Sequence, residues 1–315
     1  MSGNSNLVSR RTMLALGASA AATLAVSRRS LFAQPASAPA IQTSKNKRFK
    51  VAGDDLFLNN RQKLKAFTVA QKAKLDGLQL DMGSMPGGKE LKNALRDPAV
   101  RDQFVAESKR TGVEIASLAW FAMYAPRPYY DLPIFPDLLK EWVETMTKMN
   151  VKLGFMPLVA RETTLADEQN LAKAADFFKQ IAPAAEKAGV VLGVESTVNA
   201  DTYKKFLDAV GSPAVRAFYN PGVGLEHKLD VYADLKSLGK DRICALHLEQ
   251  GSVPPEDFER RLGDGLIDFR KLRETLLEMD WSGWMSIARS RLKGTTSADT
   301  NMAANGKFVH DLFPE

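Results

Sequence analysis

Eight short apolar runs, each separated from the next by a stretch of helical period, constrain this chain more than any other feature. They fall at Phe49–Gly53, Gly77–Met82, Val113–Trp120, Lys152–Leu158, Val190–Ser196, Val215–Asn220, Ile243–Glu249 and Trp284–Arg289. Near-continuous apolar runs of this length read as strands buried on both faces. Between them the period changes. Tyr203, Phe206, Leu207 and Val210 recur at i, i+3, i+4 and i+7, with Asn199 placed to cap the start. Phe269, Leu272, Leu276 and Met279 repeat the pattern before the eighth run, and Gly112, Gly189 and Gly239 occupy turns where a helix C-cap glycine belongs. Strict alternation of strand and helix implies a parallel sheet with helices on its faces. Eight such units in roughly 275 residues match a closed (β/α)8 TIM barrel in a single domain. The rival is an open doubly wound sheet. No G-x-G-x-x-G follows any of the runs, so that fold's phosphate loop is missing and no nucleotide cofactor is expected.

The first forty residues have a different character. Ser9-Arg10-Arg11-Thr12-Met13-Leu14 is a twin-arginine pattern, followed by an Ala/Leu-rich stretch from about Ala15 to Val26 and small-residue cleavage motifs at Ala36–Ala38 and Ala38–Ala40. The apolar stretch is too short and too alanine-rich for a stable membrane span. The expectation is a signal peptide and linker over residues 1–40, a barrel domain over 41–315, and export to the periplasm by the route that carries folded proteins. This segment also explains the charge. The formal net charge is +6, but four arginines and no acids lie in residues 1–40, leaving +2 for the rest. Acids and bases are mixed in the body, which argues against a nucleic-acid surface. The single cysteine, Cys244, excludes an intramolecular disulfide and a cysteine-based zinc site, and its apolar run predicts a buried, inert thiol.

In a parallel barrel the C-terminal ends of the strands form the active face. The fifth run carries Glu195 at this end, and the seventh carries His247 with Glu249. His247 and Glu249 are two residues apart, so on a strand they share a face. Asp81 ends the second run, Trp120 the third, and Arg289 the eighth. These three are candidate substrate contacts: the Trp ring for stacking on a substrate ring, the Arg for an anionic group. Against each stands a plainer reading, core for Trp120 and solvated charge for Arg289 and Glu249. His227 and His310 follow a loop and a C-terminal helix and are expected at the surface. Tyr124–Tyr130 is a Pro- and aromatic-rich loop with the composition of a lid.

Seven segments in order, Asp76–Ser84, Gly112–Leu118, Ala188–Ser196, Val210–Val215, Leu238–Cys244, Leu262–Gly265 with Asp268-Phe269, and Gly283-Trp284, resemble the xylose isomerase-like barrels commonly named sugar phosphate isomerases/epimerases, including their exported twin-arginine branch. The resemblance implies a divalent metal (Mn, Mg or Zn) at the barrel mouth, held by a Glu on strand five, an Asp on strand six, a His on strand seven and a Glu on strand eight. The metal would polarise a sugar carbonyl while the glutamates move the proton. Glu195 and His247 match. Asn220 stands where the family has Asp, and Ala288 where it has Glu. Asn220 retains a carbonyl oxygen, Ala288 offers no ligand, and Glu249 is the one candidate replacement. The implied metal set is therefore Glu195, Asn220, His247 and Glu249, with the metal itself in question.

Three functions remain open at this point. The first is a sugar isomerase or epimerase with Glu195 as the base beside a carbonyl and His247 as its catalytic partner. The second is a metal-independent carbohydrate lyase or hydratase, for which one base suffices. The third is a catalytically degenerate barrel that binds a sugar or a protein partner. An abasic-site endonuclease is set aside, because its multi-zinc cluster needs more histidine than the three present.

Overall fold

The computed structural model describes residues 47–86, 90–124, 129–250, 261–288 and 298–314. The expected export signal over residues 1–40 and the eighth-run residue Arg289 lie outside them. So does the middle of the Tyr124–Tyr130 loop, residues 125–128.

Among the described residues, eight strands close into one parallel barrel in sequence order. They are β1 (Phe49–Asp54), β2 (Gly77–Asp81), β3 (Glu114–Ala119), β4 (Leu153–Pro157), β5 (Val191–Glu195), β6 (Val215–Tyr219), β7 (Ile243–Leu248) and β8 (Gly283–Ile287). The seam is complete: β8 pairs with β1 from Phe49↔Gly283 to Gly53↔Ile287. The helices that cover the barrel include α1 (Lys65–Lys72), α2 (Pro98–Thr111), α3 (Phe135–Met149), α4 (Glu168–Ala188), α5 (Ala200–Val210) and α6 (Pro221–Glu226). They continue with α7 (Val231–Leu238), α8 (Phe269–Glu278) and α9 (Ala298–Leu312). None of the described helices is long and apolar enough to cross a membrane.

The expected helix signals act as read. Asn199 Oδ1 accepts from the Thr202 N–H at 3.0 Å and starts α5. Gly112 and Gly189 end α2 and α4 in the left-handed region, at φ 71° and 63°.

Strand alternation splits the apolar residues into two layers. Val51, Leu80, Leu118, Leu192 and Met285 face outward and pack under helix residues such as Phe67, Trp142, Phe206 and Leu272. Ala52, Leu153, Phe155, Val191, Phe218 and Trp284 fill the barrel itself. At the N-terminal end of the strands Lys50, buried from solvent, holds Glu114 at 2.8 Å and lies 4.9 Å over the Trp284 ring. Helix α3 approaches β4 so closely that a Cβ on Gly154 would stand 2.3 Å from Trp142 Cζ2. The indole N–H of Trp142 donates to the Leu118 carbonyl at 3.0 Å. Cys244 is buried, as expected, and burial pushes its thiol up to about 12.

Candidate active site at the C-terminal mouth of the barrel

Five strands deliver polar side chains to one buried cluster at their C-terminal ends. Glu195 is the last residue of β5, His247 is next to last in β7, and Asp54 is the last of β1. Ser286 comes from β8, while Asn220 and Glu249 stand one residue past β6 and β7. His247 Nδ1 is 2.6 Å from Glu195 Oε2, and its Nε2 is 3.2 Å from Asp54 Oδ2. Ser286 Oγ donates to Asp54 Oδ1 at 2.9 Å. Asn220 Nδ2 donates to Glu195 Oε1 at 3.3 Å and to Glu249 Oε1 at 3.1 Å. The cluster rests on aromatic rings, with Phe155 and Phe218 centred 4.8 and 5.8 Å from the imidazole. Glu195, His247 and Asp54 are each at most 1% exposed.

Two carboxylates on one imidazole set the electrostatics. A neutral ring has one donor nitrogen only, so both contacts together require an imidazolium or a protonated carboxyl. Burial alone would lower the His247 pKa. The Glu195 charge and the hydrogen bonds to Asp54 and Glu195 outweigh it and hold the ring up at about 10. Burial raises the Asp54 carboxyl, with His247 pulling the other way.

Asn220 settles which of its amide atoms faces the site. It is the N-cap of α6, and its Oδ1 accepts the Val223 N–H at 3.1 Å. A helix N-cap needs an acceptor there, so the side chain turns its NH2 toward the two glutamates. The cluster therefore receives a donor where a metal ligand would supply an oxygen. Ala288 is buried, and its backbone N–H donates to Leu248 O at 2.9 Å. Among the described residues, no group of three or more His, Cys, Asp or Glu side chains is arranged to hold a metal ion. A hard divalent cation asks for several converging oxygens. The donor set as arranged does not fit one.

The other candidate contacts are placed as follows. Asp81 ends β2 but is fully buried, its Oδ1 accepting the Gly83 N–H at 3.1 Å and its other oxygen paired with the Arg61 guanidinium. Burial, opposed by Arg61, pushes its pKa up to about 7. Its neighbour Asp55 accepts the Asp81 N–H at 3.1 Å, and burial together with the Asp81 charge raises it well above the usual carboxylate range. The cation near this corner is thus Arg61, and the Asp81 carboxylate is spent on holding it. Trp120 takes its plainer reading. Its ring lies in the layer between barrel and helices, 1% exposed and stacked on Trp142 at 6.3 Å. His227 is exposed at the C-cap of α6, and His310 reaches the Lys74 carbonyl at 3.2 Å, beside the N-terminal end of the barrel. The sequence reading missed Asp54 and Ser286. Asp54 carries the same signal as Glu195, an acid at the end of an apolar run, but the first run had been ended at Gly53.

Known proteins give this arrangement its family. The family model described as xylose isomerase-like TIM barrel matches residues 67–305. The chain belongs to that family. Among solved structures, the D-psicose 3-epimerase of Clostridium cellulolyticum with D-tagatose superposes with a TM-score of 0.64 at 12% identity, over 84% of this chain and 99% of that one. A D-psicose 3-epimerase in the presence of D-fructose gives 0.67 at 10% identity, over 84% and 100%. A sugar phosphate isomerase/epimerase from Parabacteroides distasonis gives 0.63 at 13%, over 88% and 98%. At such identities the likeness is one of fold. Comparison with curated proteins found no match.

Proposed function

We propose that the chain is a carbohydrate isomerase or epimerase that moves a proton on a carbon next to a carbonyl, with Glu195 as the base. The observation that carries this reading is Glu195 itself. It is a carboxylate at the end of β5 in a barrel of this family, its Oε2 fixed by His247 at 2.6 Å and its Oε1 facing the Asn220 amide. His247 orients the carboxylate, and the Asn220 NH2 supplies a neutral donor beside it. Solved barrels of like fold, a D-psicose 3-epimerase and a sugar phosphate isomerase/epimerase among them, support the reaction class. Free sugars are the proposed substrates. The proposed site of action is the periplasm, reached through the twin-arginine segment around Arg10 and Arg11.

The test is a panel of ketoses and aldoses incubated with the purified protein in D2O and followed by NMR. Carbon-bound deuterium should appear in a substrate, and Glu195→Gln should slow its appearance by about 100-fold or more. Absence of exchange across the panel removes the reading for those sugars.

One observation favours a second reading. At the strand-eight position, where the family places a second glutamate, Ala288 offers no proton acceptor. A single base suits an elimination or hydration, in which no second residue has to return the proton to the opposite face. A lyase or hydratase changes the product's mass by that of water; an isomerase does not.

A further inference from the structure

Both nitrogens of His247 are used by the protein. Nδ1 meets Glu195 Oε2 at 2.6 Å and Nε2 meets Asp54 Oδ2 at 3.2 Å, while Asp54's other oxygen is held by Ser286 Oγ at 2.9 Å. A metal-binding histidine gives one nitrogen to the ion and spends the other on a supporting hydrogen bond. Here no nitrogen is left over. Asn220 is committed in the same sense, its oxygen capping α6 through the Val223 N–H and its NH2 joining Glu195 to Glu249.

We infer that this mouth is built to work without a resident metal ion, and that Asp54 is the positioning residue that makes it so, holding Nε2 of His247 so that Nδ1 faces Glu195. Three features of the geometry converge on this. The position where the family has a carboxylate turns an amide donor to the site; the imidazole lies between two carboxylates; and the pair Asp54–Ser286 fixes the far side of the ring from β1 and β8, the two strands of the seam. The donors that would otherwise converge on a cation instead satisfy one another, which is how a buried polar cluster avoids orphaned groups. The reaction run at the site is a separate matter, so metal content and turnover are measured separately.

The experiment uses the purified full chain. It is incubated with Mn2+, Co2+ or Zn2+, desalted, and its metal counted by mass spectrometry. In parallel, NMR of isotopically labelled histidine follows the His247 ring, assigned by its loss in His247→Gln. The expected result is no stoichiometric ion retained by the wild-type protein and a His247 ring signal unmoved by Zn2+. Asp54→Asn, or Asp54→Ala should the amide not fold, should shift that signal, since the Nε2 partner has changed. A stoichiometric ion that is lost in His247→Gln, or a ring signal displaced by Zn2+, would overturn the metal-free site. A ring signal indifferent to both Asp54 substitutions would overturn the role given to Asp54. Neither result depends on finding a substrate, so failure here is distinguishable from failure of the proposed reaction.

Discussion

The amide of Asn220 joins two glutamates on different strands: its Nδ2 lies 3.1 Å from Glu249 Oε1 and 3.3 Å from Glu195 Oε1. One neutral donor therefore separates two carboxylates that would otherwise face each other in a buried mouth. Asn220→Asp keeps the cap on α6 but exchanges the donor for a third charge. The expected cost is about 1–3 kcal/mol of unfolding free energy at neutral pH, the size of leaving buried acceptors unsatisfied. It should shrink as the pH falls and the added carboxyl is neutralised. Urea unfolding of both proteins at pH 5 and pH 8 measures it; equal stability at both pH values would contradict the arrangement.

The contact between Gly154 and Trp142 makes a second prediction, this one about packing. The Cβ of Gly154→Ala would stand 2.3 Å from Trp142 Cζ2. The indole cannot give way freely, because its N–H is tied to Leu118 O at 3.0 Å. The substitution should cost about 1–3 kcal/mol through overpacking, read as a lower urea midpoint with an unchanged slope.

Asp81 gives stability a pH dependence of definite sign. Its pKa is pushed up from the ordinary 3.8 to about 7 by burial, with Arg61 opposing. A group whose folded value is raised contributes stability in full below its unfolded value and loses it as the pH rises through the folded one. The wild type should therefore lose stability relative to Asp81→Asn as the pH rises from about 4 to 7. The substitution also removes the charge that helps raise Asp55, and that effect has the same sign. Unfolding curves across this range check it, and parallel profiles throughout would refute it.

Cys244 should be silent in the folded protein. It is 1% exposed, its thiol is pushed to about 12 by burial, and the group lies 3.2 Å from Ala217 O. A thiol reagent such as Ellman's should react at neutral pH only after denaturant is added. Rapid modification of the native protein would contradict the buried placement.

The strands were legible in the sequence because a parallel barrel buries each of them on both faces, leaving runs such as Val191–Glu195 almost wholly apolar. The ends of those runs were legible too: Glu195 and His247 were marked by that signal, Asn220 by the family resemblance, and the three fall into one cluster. What one chain cannot display is the parity of side chains across an irregular strand. Glu114 lies on the side of β3 that meets Lys50, and counting by twos from Glu114 points Trp120 into the barrel. The register of β2 with β3 slips between Leu78 and Gln79, so that Ser117 rather than Ala116 partners Gln79. One inserted residue reverses the facing of everything after it, and Trp120 goes to the outer layer. Asp54 was lost for a simpler reason. Whether the chain leaves the first strand at residue 53 or 54 depends on its pairing with β2, in which Asp54 stands opposite Gln79, and local sequence does not encode that pairing. Nor does composition reveal that Asn220's oxygen is already committed to a helix cap.

The seam between β8 and β1 has a kinetic meaning as well. Ser286 and Asp54, which meet at 2.9 Å, are separated by 232 residues, and Asp54 and His247 by 193. The first strand to be synthesised must wait for the last two, β7 and β8, before its carboxylate has found both partners. Contacts that close such long loops are among the slowest to form. The mouth is therefore completed only when the barrel closes, and a chain truncated ahead of β8, however well its earlier βα units pack, lacks Ser286, the hydroxyl that holds Asp54 behind its histidine.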